Sequence, residues 1–386
     1  CIMEYKGTTE LPLSARIKLR KELFNTVRRM DVLSEFLEDE SVTEIMINGY
    51  DNIFIERSGR VYKVDQTFEN EERLASIIQQ IVAGCNRIVN EAVPIVDARL
   101  ADGSRVNVVL PPISLNGPTM TIRKFPKEKM TMERLIEIGA LSEDAAEFLK
   151  RLVKARYNIF VSGGTGAGKT TFLNALSDYI PQQERVITIE DSAELQLKNV
   201  VNLVRLESRN SNVEGTNAVT IRELIKSSLR MRPDRVIVGE VRDAAAVDML
   251  AAMNTGHDGS LSTGHANSSG DMITRLESMV LMGMELPLEA VRRQIASAVD
   301  VIIHLGRLRD GSRKVLEIAE VTGMREGLVE LHTIYEFEEM VAGEEQEVTG
   351  RLRARSELLH QEKFLRAGIA YKSVLCAEVR SDGAGV

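Results

Sequence analysis

Residues 160–171 read FVSGGTGAGKTT. Gly163 opens a phosphate-cradle pattern that Gly168, Lys169 and Thr170 close. The run YNIFVS (157–162) before it is apolar, with β-branched and aromatic members, and predicts a strand. After it, Phe172, Leu173, Leu176 and Ile180 recur at helical spacing. The glycines therefore fall between a strand and a helix, where backbone N–H groups and the positive helix end can converge on phosphate oxygens. Gly163, Thr165, Gly166, Gly168, Lys169, Thr170 and Thr171 are the candidate nucleotide-binding residues. Lys169 is expected at the outer phosphates and Thr170 at Mg²⁺. Glycine-rich turns also serve ordinary strand–helix corners, but the lysine, the threonine and both flanks together favour the nucleotide.

The rest of the chain bounds what such a site could serve. The 386 residues allow two to three domains, and 44% hydrophobic with 27% charged residues is a soluble composition. A net charge of −8 gives no global case for nucleic-acid binding. Cys1, Cys85 and Cys376 lie far apart, without metal or disulfide spacing, which fits a reducing compartment. No run of about 18 apolar residues occurs, so no membrane span is expected. Because the sequence starts at Cys1 rather than Met, further N-terminal residues are expected to precede it. The Met-rich run MITRLESMVLMGMELP (272–287) predicts a helix-packing surface.

Along the chain, residues 1–40 predict an N-terminal helical segment, with a helical pair over 12–40. Residues 41–127 predict an α+β domain. It has turns at Asn48–Gly49 and Ser58–Gly59, an amphipathic helix in NEERLASIIQQIVAG (70–84), and a hairpin turning at Asp102–Gly103. Residues 128–140 read as a linker and short helix, followed by a helix capped by Ser142. From 141 to 340, nearly continuous apolar runs alternate with helical ones. That pattern predicts an α/β sheet covered on both faces, extended by two or three antiparallel strands. Residues 341–386 read as a polar, partly helical C-terminal extension.

Hydrolysis needs acids as well as a phosphate loop. VITIED ends in Glu190 and Asp191, and RVIVGE ends in Glu240. Acids at strand C-termini of an α/β sheet point toward the site more often than into bulk solvent. Gly239 stands where an Asp commonly precedes the catalytic acid, so the metal shell is expected to rest on Thr170, phosphate and water, with Glu240 near it. His257 and His265, in TGHDGSLSTGHA, lack zinc-ligand spacing. His265 is the candidate γ-phosphate sensor, with a structural turn histidine as the alternative for both.

Six stretches in order then carry a family resemblance: SVTEIMINGYDNIFIERSGR, DARLADGSRVNVVLPP, GGTGAGKTT, ITIEDSAELQL, LRMRPDRVIVGEVRD and MNTGHDGSLSTGHANS. The chain resembles the type II/type IV secretion ATPases, most closely the tight-adherence (Tad/Flp) pilus assembly branch. The resemblance implies a RecA-like P-loop NTPase domain (α/β) preceded by a smaller α+β N-terminal domain, with ATP and Mg²⁺ as cofactors. It assigns Glu240 as the catalytic or metal-ordering acid, Glu190 to an acidic box and His265 to a histidine box, and it accounts for Gly239. It implies a homohexamer, cytoplasmic and peripheral to the inner face of the membrane, docked on inner-membrane platform proteins. It also implies that arginines of the N-terminal domain reach the phosphates, and Arg105 and Arg123, with Arg99, match. Surface arginines that merely keep a face wet are the alternative. A conjugation or effector-secretion ATPase, a nucleic-acid translocase and a nucleotide-binding subunit without turnover are the competing functions. The acidic balance argues against direct nucleic-acid contact, and Lys169, Glu190 and Glu240 argue for turnover.

Overall fold

Helix α1 (Leu33–Glu38) is followed by strands β1 (Val42–Asn48), β2 (Ile53–Arg57) and β3 (Arg60–Lys63), then α2 (Glu71–Gly84) and β4 (Ile95–Arg99), β5 (Arg105–Val109) and β6 (Thr119–Arg123). This computed structural model describes residues 30–57, 59–125, 130–209, 218–340 and 348–375. The first helix expected over 12–40, Cys1 and Cys376 lie outside them. The chain divides into two compact units, Cys1–Glu128 and Lys129–Val386.

In the first unit the strands form one antiparallel sheet in the order β3-β2-β1-β6-β5-β4. Alternation decides its faces. Val106, Val108, Met120 and Ile122 turn inward and share one core with Leu74, Ile77, Ile78 and Ile81 of α2. The Asn70 side chain caps that helix by accepting from Arg73 N at 2.8 Å. Gly103 turns the β4–β5 hairpin at φ +94°, where a side chain would also crowd the Phe125 ring at 3.2 Å. The hairpin's register sets Arg99 opposite Arg105, and Arg105 opposite Arg123. The three arginines therefore form a row across adjacent strands, on the face away from the core.

The second unit begins with α3 (Met132–Glu137), α4 (Glu143–Lys154), β7 (Ile159–Gly163), α5 (Lys169–Ser177), β8 (Arg185–Glu190) and β9 (Asn202–Glu207). It continues with α6 (Ile221–Ser228), β10 (Arg235–Val238), α7 (Ala245–Asn254), β11 (Leu261–His265), α8 (Ser269–Gly283), α9 (Leu288–Ala298) and β12 (Val301–Arg307). It closes with β13 (Arg313–Arg325), β14 (Leu328–Met340), β15 (Thr349–Ala354) and α10 (Glu362–Arg366). The sheet order is β15-β14-β13-β12-β7-β11-β10-β8-β9. Strands β12 through β9 in that order are parallel, and β13 to β15 are added antiparallel. Successive residues of the central strands feed opposite cores. Ile159 and Val161 join the core containing α3, α4 and α5, while Phe160 joins the one containing α7, α8 and α9. Burying each such side chain contributes about 1.5–3 kcal/mol, which is why these strands carry apolar residues on both faces.

Four expectations need correction. Residues 132–137 form the short helix expected beside the linker, but 132–140 belong to the second unit, because Met132, Leu135 and Ala140 pack in its core and Val315 N bonds Ala140 O at 2.8 Å. The Ser142 hydroxyl makes no capping bond to α4 and is buried without a partner. The segment expected as a polar extension contains β15, which pairs with β14 and so continues the sheet. The Met-rich run is only half packing surface: Met272 and Met279 are buried, whereas Met282 and Met284 are exposed.

Candidate nucleotide site

Loop 163–168 leaves the end of β7 and enters α5. Gly163, Gly166 and Gly168 all hold positive φ, at 158°, 71° and 91°. A Cβ at Gly163 would lie 2.6 Å from Leu305 O of the neighbouring strand, so the turn fits only glycine there. Gly168 caps α5 without a side-chain bond. The first N–H groups of the helix therefore face the loop mouth, ready for an anion. Thr170 and Thr171 stand in that first turn.

The structure buries Lys169, at 7% exposure. Its ammonium donates to Gly163 O at 3.0 Å and Gly164 O at 2.9 Å, and lies 3.1 Å from His265 Nδ1. The lysine thus folds back over its own loop. β11 lies beside β7 in a register that sets His265 opposite Gly163, so strand pairing delivers the histidine to the phosphate loop. With Nδ1 accepting from Lys169, the network assigns the imidazole proton to Nε2. Burial lowers the His265 pKa, opposed by Glu240 and reinforced by the Lys169 charge.

His265 Nε2 lies 2.9 Å from Glu240 Oε1. The two atoms are within reach but not aligned as a hydrogen bond, and Oε1 is buried with its bonding capacity unused. Glu240 Oε2 accepts from Arg242 at 2.7 Å, and Arg242 also approaches Asp191 at 3.3 Å. The turn carrying Glu240 is fixed to β11, because Thr263 Oγ1 donates to Gly239 O at 2.7 Å and Val241 N donates to Thr263 O at 2.9 Å. Lys169, His265 and Glu240 therefore form one continuous contact chain across β7, β11 and β10.

Gly239 has a steric reason. A Cβ there would lie 2.9 Å from Glu190 Cγ, so the missing side chain is the space Glu190 occupies. Glu190 is buried at 2% exposure. Its Oε1 accepts from the backbone N–H groups of Glu194 and Leu195 at 2.8 and 2.9 Å, while Oε2 has no partner. Burial raises its pKa to about 7, against the two backbone bonds that favour the anion. A carboxyl held above its unfolded value makes the folded chain bind the extra proton between about 4.5 and 7. Stability is therefore lost as pH rises through that window. Glu190→Gln, neutral at every pH, is expected to have little effect on thermal stability at pH 5. At pH 8.5 it should be more stable than wild type by up to about 3 kcal/mol. An unchanged difference between the two pH values would contradict the buried, proton-holding carboxyl.

The donor set fits a magnesium nucleotide. Glu240 Oε1, reached from the loop through Lys169 and His265, makes no hydrogen bond, and neither does Glu190 Oε2 beside Gly239. Among the described residues, no group of three or more His, Cys, Asp or Glu is placed to hold a metal ion by itself. Thr170 is the residue that would hold Mg²⁺ together with nucleotide phosphates, with Glu240 close by. When bound, the ion would neutralise phosphate charge. A cleft of about 470 Å³ opens beside the loop, lined by Gly164, Thr165, His265, Asn267 and Arg275.

Of the other sequence candidates, His257 is a turn histidine, with Nδ1 3.2 Å from Ala252 O at the end of α7. Arg105 and Arg123 lie in the first unit. Sequence reading missed Arg313, whose Nε donates to Gly166 O at 2.7 Å. It is 147 positions from Gly166 and announces itself only by the Asp310–Gly311 turn signal before it.

Residues 28–374 match the family described as Type II/IV secretion system protein. A Mycobacterium tuberculosis (strain H37Rv) chain, provisionally named a conjugal transfer protein, is 34% identical over 356 residues, 91% of this chain and 99% of its own. The type IV secretion system protein VirB11 of Brucella suis is 33% identical over 322 residues, 76% of this chain and 88% of its own. Among solved structures, the Yersinia pseudotuberculosis ATPase DotB is similar in fold, with a TM-score of 0.56 at 18% identity, over 83% of this chain and 82% of its own. The RecA-like α/β fold with a β-rich N-terminal domain is shared with these neighbours.

Proposed function

The chain belongs to the type II/IV secretion system protein family, and from that premise we propose that it is a homohexameric motor that hydrolyses ATP with Mg²⁺ to power assembly of a Tad/Flp-type pilus or secretion across the cell envelope. The observation that carries the reading is the contact chain Lys169–His265–Glu240. It joins the phosphate loop to a carboxylate through an imidazole, an arrangement suited to sensing a terminal phosphate and positioning water. In the proposed roles, Lys169 and Thr170 hold the phosphates and Mg²⁺. Glu240 is the catalytic acid residue, Glu190 supports it, and His265 reads the γ-phosphate. The motor acts at the cytoplasmic face of the inner membrane on platform proteins, with no direct nucleic-acid contact. No helix among the described residues is long and apolar enough to cross a membrane.

A second reading, a conjugation or type IV effector-secretion ATPase, is favoured by relatives named for those systems. The N-terminal stretches favour the pilus branch. The chemistry is common to both readings, and the cargo divides them.

The arginine row supplies the remaining charge. Arg105 and Arg123 are proposed to meet phosphate charge that develops during hydrolysis. Arg105→Ala and Arg123→Ala are each expected to lower kcat for ATP by about tenfold or more while leaving ADP affinity nearly unchanged. The check is steady-state phosphate release at saturating MgATP by the full chain. Wild-type turnover in both variants would leave these arginines as surface charge.

A further inference from the structure

Arg313 starts β13, just after the tight turn that joins it to β12. That turn is well braced: Gly311 N bonds Leu308 O, Leu308 N bonds Ser312 O at 2.8 Å, and the Asp310 carboxylate accepts from Ser312 N at 2.8 Å and Val348 N at 3.0 Å. The next residue, Lys314, donates to Gly139 O at 2.9 Å. The hairpin thus holds its position by its own bonds and does not need Arg313 for that purpose. The Arg313 side chain instead leaves the hairpin and crosses to the phosphate loop. Its Nε donates to Gly166 O at 2.7 Å, and its Cδ lies 3.5 Å from where a Cβ on Gly168 would stand. Among the described residues no carboxylate pairs with it, and the side chain is exposed. A permanently charged planar fork is therefore anchored by one nitrogen at the rim of an anion-binding loop, with its two terminal nitrogens still available.

Its side of the loop is also defined. In the sheet, β12 and β13 lie on one side of β7, whereas β11 and β10, bearing His265 and leading to Glu240, lie on the other. We propose that Arg313 is a nucleotide-positioning residue that binds a phosphate group shared by nucleoside di- and triphosphates, opposite the groups that act on the terminal phosphate. The inference rests on the nucleotide reading of the loop and deepens it. Lys169 and Arg313 then hold the polyphosphate from inside and outside the loop.

The test is calorimetric titration of the full chain with Mg²⁺ and ADP, ATP or GDP. Arg313→Ala is expected to weaken all three by about tenfold, the scale of one charge-assisted contact. Arg313→Glu should weaken them further, and Arg313→Lys should stay within about threefold of wild type, since a point charge still serves phosphate. In turnover the loss should fall on KM for ATP and not on kcat. A residue that only braced the loop would make Arg313→Ala and Arg313→Glu equal and give no recovery with Lys, and that result overturns the proposal. Unchanged affinity in Arg313→Ala, or a loss confined to adenine nucleotides, overturns it too. Wild-type protein that binds no ADP would instead remove the nucleotide reading itself.

Discussion

Lys169→Ala is expected to reduce phosphate release from ATP by about 10²- to 10³-fold, the scale of losing a charge-assisted clamp on a transferring phosphoryl group. The ammonium makes its contacts with Gly163 O, Gly164 O and His265 inside the loop. A bound polyphosphate would compete for it, and on the proposed reading the lysine would exchange carbonyl partners for phosphate oxygens as nucleotide enters. Removing it leaves the carbonyls of an open loop, which water can satisfy, and a histidine whose Nδ1 loses its donor. The fold is expected to survive, because none of the central strand packing involves this side chain. Far-ultraviolet circular dichroism alongside the phosphate assay checks both parts. Near-wild-type turnover in a folded Lys169→Ala protein would mean that the loop is a strand–helix corner and nothing more.

Glu240→Gln is expected to separate binding from turnover. The substitution keeps shape and leaves an oxygen to accept from Arg242, but it removes the charge facing His265. ATP should still bind, and turnover should fall by about 10²-fold or more, as for a positioned general base. Nucleotide titration and single-turnover hydrolysis on the same preparation read the two quantities. Ordinary turnover would take Glu240 out of the mechanism. Lost binding would move it into the metal shell.

How much of this could be read from the residues depends on the range of the interactions. The phosphate loop was legible because its signal is local: glycines at fixed offsets, one lysine, and a change of period from strand to helix within about 20 residues. The burial of Lys169 was not legible, since it depends on β11 pairing beside β7 and bringing His265 across 96 positions. Gly239 looked like a departure until Glu190 was seen to occupy its missing Cβ. Strand β9 was missed because it is the sheet's edge strand and none of its residues is fully buried: Leu203 packs on one core and Val204 and Leu206 on the other, so NLVRLE lacks the unbroken apolar run of its neighbours. β15 was missed for a related reason. Its arginines read as a solvated face, yet Arg353 meets Glu338 at 3.0 Å on the adjacent strand, and Leu352 and Ala354 face inward. Cross-strand charge pairs of this kind stabilise a sheet without leaving an apolar pattern.

The central claim is that nucleotide at this loop drives a ring of identical chains. Light scattering of the full chain across concentration, with and without a non-hydrolysable ATP analogue and Mg²⁺, tests it most directly. The account predicts a species near six times the 42.9 kDa chain, favoured by the analogue and weakened in Lys169→Ala. A monomer or dimer at every concentration, indifferent to nucleotide, would contradict it.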